Sequence, residues 1–234
     1  MTKEERLQKS IADNSRPILI NRKVVPQVLL SILIPTVVGR EAELHRITKK
    51  ISGFGFTDED MFTGRAGVYF GECQLYIIKD NKEMTIGEKR EQLYNAAEGL
   101  FSWQIDEDDD IADNAIQLIL EDIKSNPEIP CIAFRERCMM NGVYKSSNHS
   151  IRYSQWMDNQ DGFDYVRSPF YKDVIRTDIA KSVPFPHIRY NEDEQWSKAI
   201  YPKLTDEIHI DQELYYYNYE PKDSHEERYG FISK

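Results

Sequence analysis

Five consecutive acidic residues, Asp106-Glu107-Asp108-Asp109-Asp110, are the densest concentration of possible chemistry in the chain. Bunched carboxylates repel one another, and a divalent cation with its preference for oxygen ligands is one reason to gather them. The other reading is a solvated acidic loop with an Asp capping the helix that follows. A second acidic group, Glu192-Asp193-Glu194, follows Asn191 at the start of a helical pattern. There it can favour the positive end of the helix. The five histidines show no pair at helical metal-ligand spacing, and no Cys-His nucleophile arrangement stands out. A Gly-x-Ser-x-Gly elbow, a Walker loop and a complete Gly-x-Gly-x-x-Gly fingerprint are all absent.

The elements that must position these groups follow from hydrophobic pattern. Val28 to Ile34 is a nearly continuous apolar run, as in a strand buried on both faces, and Pro35-Thr36 ends it. Arg40 to Ile51 carries Leu44, Ile47 and Ile51 on one helical face. Gly53 to Gly67 reads as a loop or insertion. Gln74 to Ile78 is a second strand, ending at Lys79-Asp80-Asn81. The helix Gly87 to Glu98 follows, with Gly99 as its expected C-cap. A third strand, Leu100 to Ile105, runs into the acidic stretch. The next helix ends near Asn126-Pro127, with Asp110 or Asp113 expected to cap its start. The β-α-β-α-β-α order predicts an α/β fold with a mostly parallel central sheet and helices on both faces.

Beyond Pro130 the pattern is more irregular. Cys131 to Phe134 is a strand, and Asn141-Gly142 marks a hairpin. Extended pieces are expected at Tyr153 to Trp156 and Phe163 to Val166, with helices over Ile175 to Ser182 and Asp193 to Tyr201. Two late strands are expected, Glu207 to Ile210 and Leu214 to Tyr219.

The chain has 234 residues, 40 of them Asp or Glu against 30 Lys or Arg, for a net charge of -10. That balance disfavours a general phosphate-backbone binder. A local basic strip from Arg135, Arg137, Lys145 and Arg152 keeps nucleic acid as an alternative partner. Three scattered cysteines suit reduced thiols and a cytoplasmic setting. The longest apolar run, Val28 to Val38, is interrupted by Ser31, Pro35 and Thr36, so no transmembrane segment is expected.

Three landmarks, in order, resemble the GT-A glycosyltransferases of the family-2 type: the strand Ser31-Ile32-Leu33-Ile34-Pro35-Thr36; the helix opening Gly87-Glu88-Lys89-Arg90 that leads through Ala97-Glu98-Gly99 to Ile105-Asp106-Glu107-Asp108-Asp109; and the Glu192-Asp193 pair. The closest likeness is to small single-domain phage and bacterial versions. The resemblance implies a GT-A domain over residues 28–220, with an extension at 1–27, a tail at 221–234 and a smaller mixed acceptor-side region. It implies transfer of a sugar from a nucleoside diphosphate sugar, UDP-linked, to an acceptor hydroxyl with inversion, assisted by Mn²⁺ or Mg²⁺. The metal would be held by Asp106 and Asp108 of a DxD motif, with His225 closing the site and Asp109 in reserve. Pro35, Thr36, Arg40, Asp80, Lys89, Arg90, Asp106 and Glu107 would hold the donor. Glu91 stands where the family shows Asn. Asp193 would be the general base, oriented by Glu192, and His149, Trp156 and Trp196 would face the acceptor, a glycan or another hydroxyl compound. A sugar nucleotidyltransferase, a non-catalytic nucleotide-sugar sensor and an acceptor in modified DNA are the alternatives.

Overall fold

The computed structural model describes residues 28–61 and 64–219. The expected extension, the tail and His225 lie outside them. Among the described residues, eleven strands form one sheet. In chain order the elements are β1 (Leu30–Val37), α1 (Glu41–Ser52), β2 (Arg65–Phe70), β3 (Cys73–Asp80), α2 (Ile86–Ala96), β4 (Phe101–Gln104), β5 (Asp110–Ile111) and α3 (Ala115–Ser125). They continue with β6 (Cys131–Met140), β7 (Val143–His149), β8 (Met157–Gln160), β9 (Phe163–Arg167), β10 (Val174–Arg176), α4 (Thr177–Lys181), α5 (Glu192–Ile200) and β11 (Glu207–Tyr219). The main strand order is β2-β3-β1-β4-β10-β6-β7-β9-β8, with β11 beside β6 and β5.

β1 lies between β3 and β4, parallel to both. Its alternate residues feed two cores, which is why its sequence is apolar almost throughout. Leu30, Ile32 and Ile34 pack with Leu44, Ile47 and Ile51 of α1 and with Ile119 and Ile123 of α3. Leu33 packs on the opposite face with Leu93 and Tyr94 of α2 and with Trp196 and Ile200 of α5. Outside this parallel centre the sheet is mixed, because β10 enters antiparallel to both β4 and β6.

Several local expectations are corrected. The stretch after Gly53 contains a real strand, β2, pairing antiparallel with β3; its alternation of exposed and partly buried residues marks an edge strand. Gly99 is not a C-cap: α2 ends at Ala97 in an extended conformation. Gly99 serves close approach instead, since a Cβ there would stand 2.5 Å from the Ser31 amide nitrogen. Neither Asp110 nor Asp113 caps α3, whose N-cap is Asn114. Both acids pair with Lys50, at 2.9 and 3.2 Å. Tyr153 to Trp156 bends ahead of β8 and joins no strand, where an extended piece was expected. The two late strands are one strand, β11, interrupted by register shifts between Ile210 and Tyr215.

Candidate active site

The carboxyl ends of parallel strands are where ligands bind in open α/β sheets. Here the ends of β1 and β4 open into a cleft of about 650 Å³, roofed by the segment leading into α5 and walled on one side by the end of β11. One backbone approach explains the roof. At Gly87, in the first turn of α2, a Cβ would come within 1.8 Å of the Pro186 carbonyl oxygen and 3.5 Å of the Glu192 Cβ. Only glycine lets the 186–192 segment lie this close to α2, and that contact brings Glu192 and Asp193 over the strand ends.

Arg90 is at the centre. Its guanidinium is almost wholly buried, donates to both Asp106 carboxylate oxygens at 3.0 and 3.2 Å, and reaches Gln104 Oε1 and Glu192 Oε1 at 3.3 Å each. It stacks on the Tyr171 ring, 3.4 Å from its centroid, while the Tyr171 hydroxyl donates to Asp106 Oδ2 at 2.8 Å. Burial pushes the Asp106 carboxyl up, but Arg90 outweighs it and the net shift is downward. Arg90 therefore joins the acidic turn to the start of α5, and its donors are largely spent on protein acceptors.

The acidic stretch divides into distinct roles. Asp108 faces the cleft and accepts from Arg40 at 2.8 Å. Glu107 lies 3.5 Å from the same guanidinium; burial, then the neighbouring Asp108 and Asp106, push it up to about 7. Asp109 points inward, fully buried. It accepts from the Tyr215 hydroxyl at 2.7 Å and the Asn218 amide at 3.3 Å, and burial raises it well above the carboxylate range. The reserve-ligand expectation for Asp109 is thus corrected: it fastens the acidic turn to β11. The Tyr215 hydroxyl in turn accepts from the Asp106 amide at 3.1 Å. Asp110 turns away toward Arg46 and Lys50.

Pro35, Thr36, Lys89 and Arg40 border the cleft. Lys89 donates to the Thr36 carbonyl at 2.7 Å and pairs with Asp80. Asp80 does not border the cleft: one of its oxygens takes Lys89 and the other the Met84 amide at 2.8 Å. The expected contact between Asp80 and the nucleobase is corrected to a supporting one, in which Asp80 holds Lys89. The Thr36 hydroxyl oxygen is buried and makes no hydrogen bond with the described residues.

Of the expected acceptor-side residues, Glu192, Asp193 and Trp156 border the cleft. His149 and Trp196 do not. His149 is wholly buried between Asp173 at 3.1 Å and Glu136 at 3.3 Å. Burial alone would lower it, but these two carboxylates raise it to about 9. Trp196 is a core residue stacked on Phe185 at 4.6 Å and Tyr94 at 5.4 Å, with its indole N–H satisfied by the Val183 carbonyl. The proposed basic strip is largely neutralised: Arg135 pairs with Asp211, Arg137 with Glu213 and Lys145 with Asp164.

Tyr171, Lys172, Glu136 and Tyr215 are site supports that sequence reasoning missed. Lys172 bridges Glu136 at 2.7 Å and Asp109 at 3.8 Å beneath the Tyr217 ring. The usable signal was the alternation Tyr215, Tyr217, Tyr219 in a run read only as a strand.

A Mg²⁺ or Mn²⁺ ion that works with phosphates needs only one or two carboxylates from the protein. Of Asp106 and Asp108, Asp108 fits that pattern and is the more accessible, while Asp106, whose oxygens already accept from Arg90 and Tyr171, would share them with the ion. Among the described residues, no three His, Cys, Asp or Glu side chains converge into a cage formed by protein alone. The fit is to a site completed by a ligand's phosphates.

The architecture is a GT-A-like α/β fold. Solved structures of TarS from S. aureus share it. TarS residues 1–349 match at 14% identity and TM-score 0.54, over 81% of this chain and 60% of that one. The complex of the same fragment with UDP-GlcNAc matches at 14% and 0.55, over 83% and 60%. Its complex with UDP matches at 15% and 0.53, over 82% and 61%. The chain thus spans about 60% of the length of these structures, and the likeness is one of fold. No protein-family model and no curated protein sequence matches the chain. Among the described residues, no helix is long and apolar enough to cross a membrane.

Proposed function

We propose that the protein is a glycosyltransferase that takes a sugar from a nucleoside diphosphate sugar, UDP-linked, and transfers it with inversion to an acceptor hydroxyl. The observation that carries this reading is the meeting of two acidic groups across one cleft. Asp106, Glu107 and Asp108 stand at the end of β4, and Glu192 and Asp193 open α5 opposite, joined through Arg90. Likeness to a fold crystallised with UDP and with UDP-GlcNAc supports the donor class.

In this reading Pro35 and Thr36 flank the donor nucleotide, and the Thr36 hydroxyl, which has no hydrogen-bond partner among the described residues, is available to it. Lys89 and Arg40 supply positive charge near the diphosphate. Asp106 and Asp108 hold Mn²⁺ or Mg²⁺, whose chemistry when bound is to neutralise charge on the departing diphosphate. Asp193 takes the acceptor hydroxyl proton. The acceptor oxygen bonds to the anomeric carbon from the face opposite the leaving group. The bond from that carbon to the diphosphate breaks, and its electron pair leaves with UDP. Glu192, pushed up by burial and held by Arg90, orients the first turn of α5.

The test is release of UDP from a panel of UDP-sugars by the purified protein with Mn²⁺. Slow acceptor-independent hydrolysis that disappears in Asp193→Asn supports the reading. A protein that binds UDP-sugar but never releases UDP, with or without acceptors, would be a sensor instead.

A further inference from the structure

Two guanidinium groups face the carboxylates at the cleft end of the acidic turn, and they are held differently. Arg90 is almost wholly buried and spends its N–H groups on Asp106, Gln104 and Glu192. Arg40, the residue before α1, is only half-buried on the cleft wall. Its side chain meets the turn through one nitrogen: Nη1 donates to Asp108 Oδ2 at 2.8 Å and lies 3.5 Å from Glu107 Oε1. The other N–H groups of this guanidinium have no acceptor among the described residues. Arg40 is also the one ion-pair partner of Asp108 among the described residues. The turn does not depend on this contact. Arg46 donates to the Asp109 and Glu107 carbonyls at 2.7 and 3.4 Å, the Tyr215 hydroxyl holds Asp109, and Arg90 grips Asp106. A partly exposed, single-pronged ion pair is weak and is exchanged readily.

From this geometry we propose that Arg40 is a resident counter-ion of Asp108: it occupies the carboxylate that a divalent cation would use, and releases it when a diphosphate offers the guanidinium its own oxygens. The proposal rests on the glycosyltransferase reading. With Arg40 in place, Asp106 and Asp108 each carry a paired guanidinium. A bare divalent cation would therefore have to displace a positive group from the turn. A guanidinium matches phosphate oxygens with the same planar fork that it offers to carboxylates. Arg40 can thus pass from Asp108 to a diphosphate without being left unpaired. Asp108 is then free when the phosphate oxygens that complete a cation's shell arrive. The consequence is an order of binding, in which the cation enters with the nucleotide rather than before it. Neither neighbouring cation can make this exchange. Lys89 is held by the Thr36 carbonyl and Asp80, away from the turn, and the N–H groups of Arg90 are spent.

Mn²⁺ binding is read from loss of the free ion's electron paramagnetic resonance signal, which needs no turnover. Wild type, Arg40→Gln, Arg40→Lys and the double variant Arg40→Gln/Asp108→Asn are titrated without nucleotide, each checked for folding by circular dichroism. Arg40→Gln should bind Mn²⁺ about two- to fivefold more tightly than wild type, the size expected on removing a partly exposed ion pair. Arg40→Lys, which keeps the charge, should stay near wild type, and the double variant should lose the gain. UDP affinity is measured separately by calorimetry in EDTA, where Arg40→Gln should bind severalfold more weakly than wild type. A merely structural role would not move the two affinities in opposite directions. Unchanged, weaker or undetectable Mn²⁺ binding by Arg40→Gln overturns the proposal. So does a gain that survives Asp108→Asn or appears equally in Arg40→Lys, or a UDP affinity in EDTA that does not fall. If wild type binds UDP under no condition, the glycosyltransferase reading fails instead, and the Mn²⁺ comparison still decides whether Arg40 occupies the carboxylate.

Discussion

Arg90 and Asp106, sixteen residues apart, form a two-pronged ion pair at 3.0 and 3.2 Å that ties the first turns of α2 to the end of β4. Arg90 also contacts Glu192, so one buried cation holds both acidic walls of the cleft. Removing a partner from a buried charge pair typically costs about 3–5 kcal/mol, because the remaining charges are left uncompensated. Arg90→Ala should lower unfolding free energy by about that much in urea denaturation. Arg90→Lys should recover part of the stability but not UDP affinity, since an ammonium cannot reproduce the two-pronged geometry.

Gly87 makes a sharper geometric prediction. Gly87→Ala places a methyl group against the Pro186 carbonyl, which is backbone and has to move. Overpacking of this kind costs about 1–3 kcal/mol. The displaced segment carries Glu192 and Asp193, so transfer should fall more than UDP affinity does. Equal losses in both would argue against the roof's role in placing Asp193.

If Asp193 is the base, Asp193→Asn should leave binding of the UDP-sugar within about twofold and cut transfer by roughly 10²–10⁴-fold, the range typical for loss of general base catalysis. Near-normal transfer by this variant would assign the proton to another group.

The buried His149 predicts a pH effect. Its partners Asp173 and Glu136 raise it to about 9 from an ordinary 6.5. A raised folded-state value means that stability from the charged ring is fully present below about 6.5 and is lost as pH rises through about 9. The full effect is on the order of 3 kcal/mol, since each pH unit between the two values is worth about 1.36 kcal/mol. Denaturation midpoints should fall between pH 6 and pH 10, and the fall should be smaller in His149→Gln. An NMR titration placing the His149 midpoint below 7 would contradict this.

How much of this was legible in the sequence varied with the kind of signal. The parallel centre was plain, because β1 buries both faces and its apolar run shows it. The cleft's acidic groups were found because carboxylates at a strand end and at a helix start are conspicuous. What distinguished Asp108 from Asp109 was not legible: Asp109 turns inward to Tyr215, a partner 106 residues away that only the sheet brings near. His149 looked available but sits between two carboxylates contributed by β6 and by the loop before β10. Arg90 stands out in the sequence as a cation near a helix start. Its neighbours Tyr171 and Glu192 come from distant segments, so its conversion from ligand contact to clamp could not be read locally. Gly87 was noticed as part of a motif, while its reason, the Pro186 carbonyl, is tertiary.

Metal-assisted binding of a UDP-linked donor is probed head-on by thermal denaturation with UDP, UDP-sugars, GDP and ADP, each with and without Mn²⁺, on the wild type and on Asp108→Asn. A ligand that binds only the folded state stabilises it by mass action, by about 2.7 kcal/mol at a hundredfold excess over Kd, and so raises its melting temperature. The expected result is a rise with UDP-sugar that is largest with Mn²⁺, smaller with GDP and ADP, and without the Mn²⁺ increment in Asp108→Asn. No rise with any UDP ligand, in the presence or absence of metal, would contradict it.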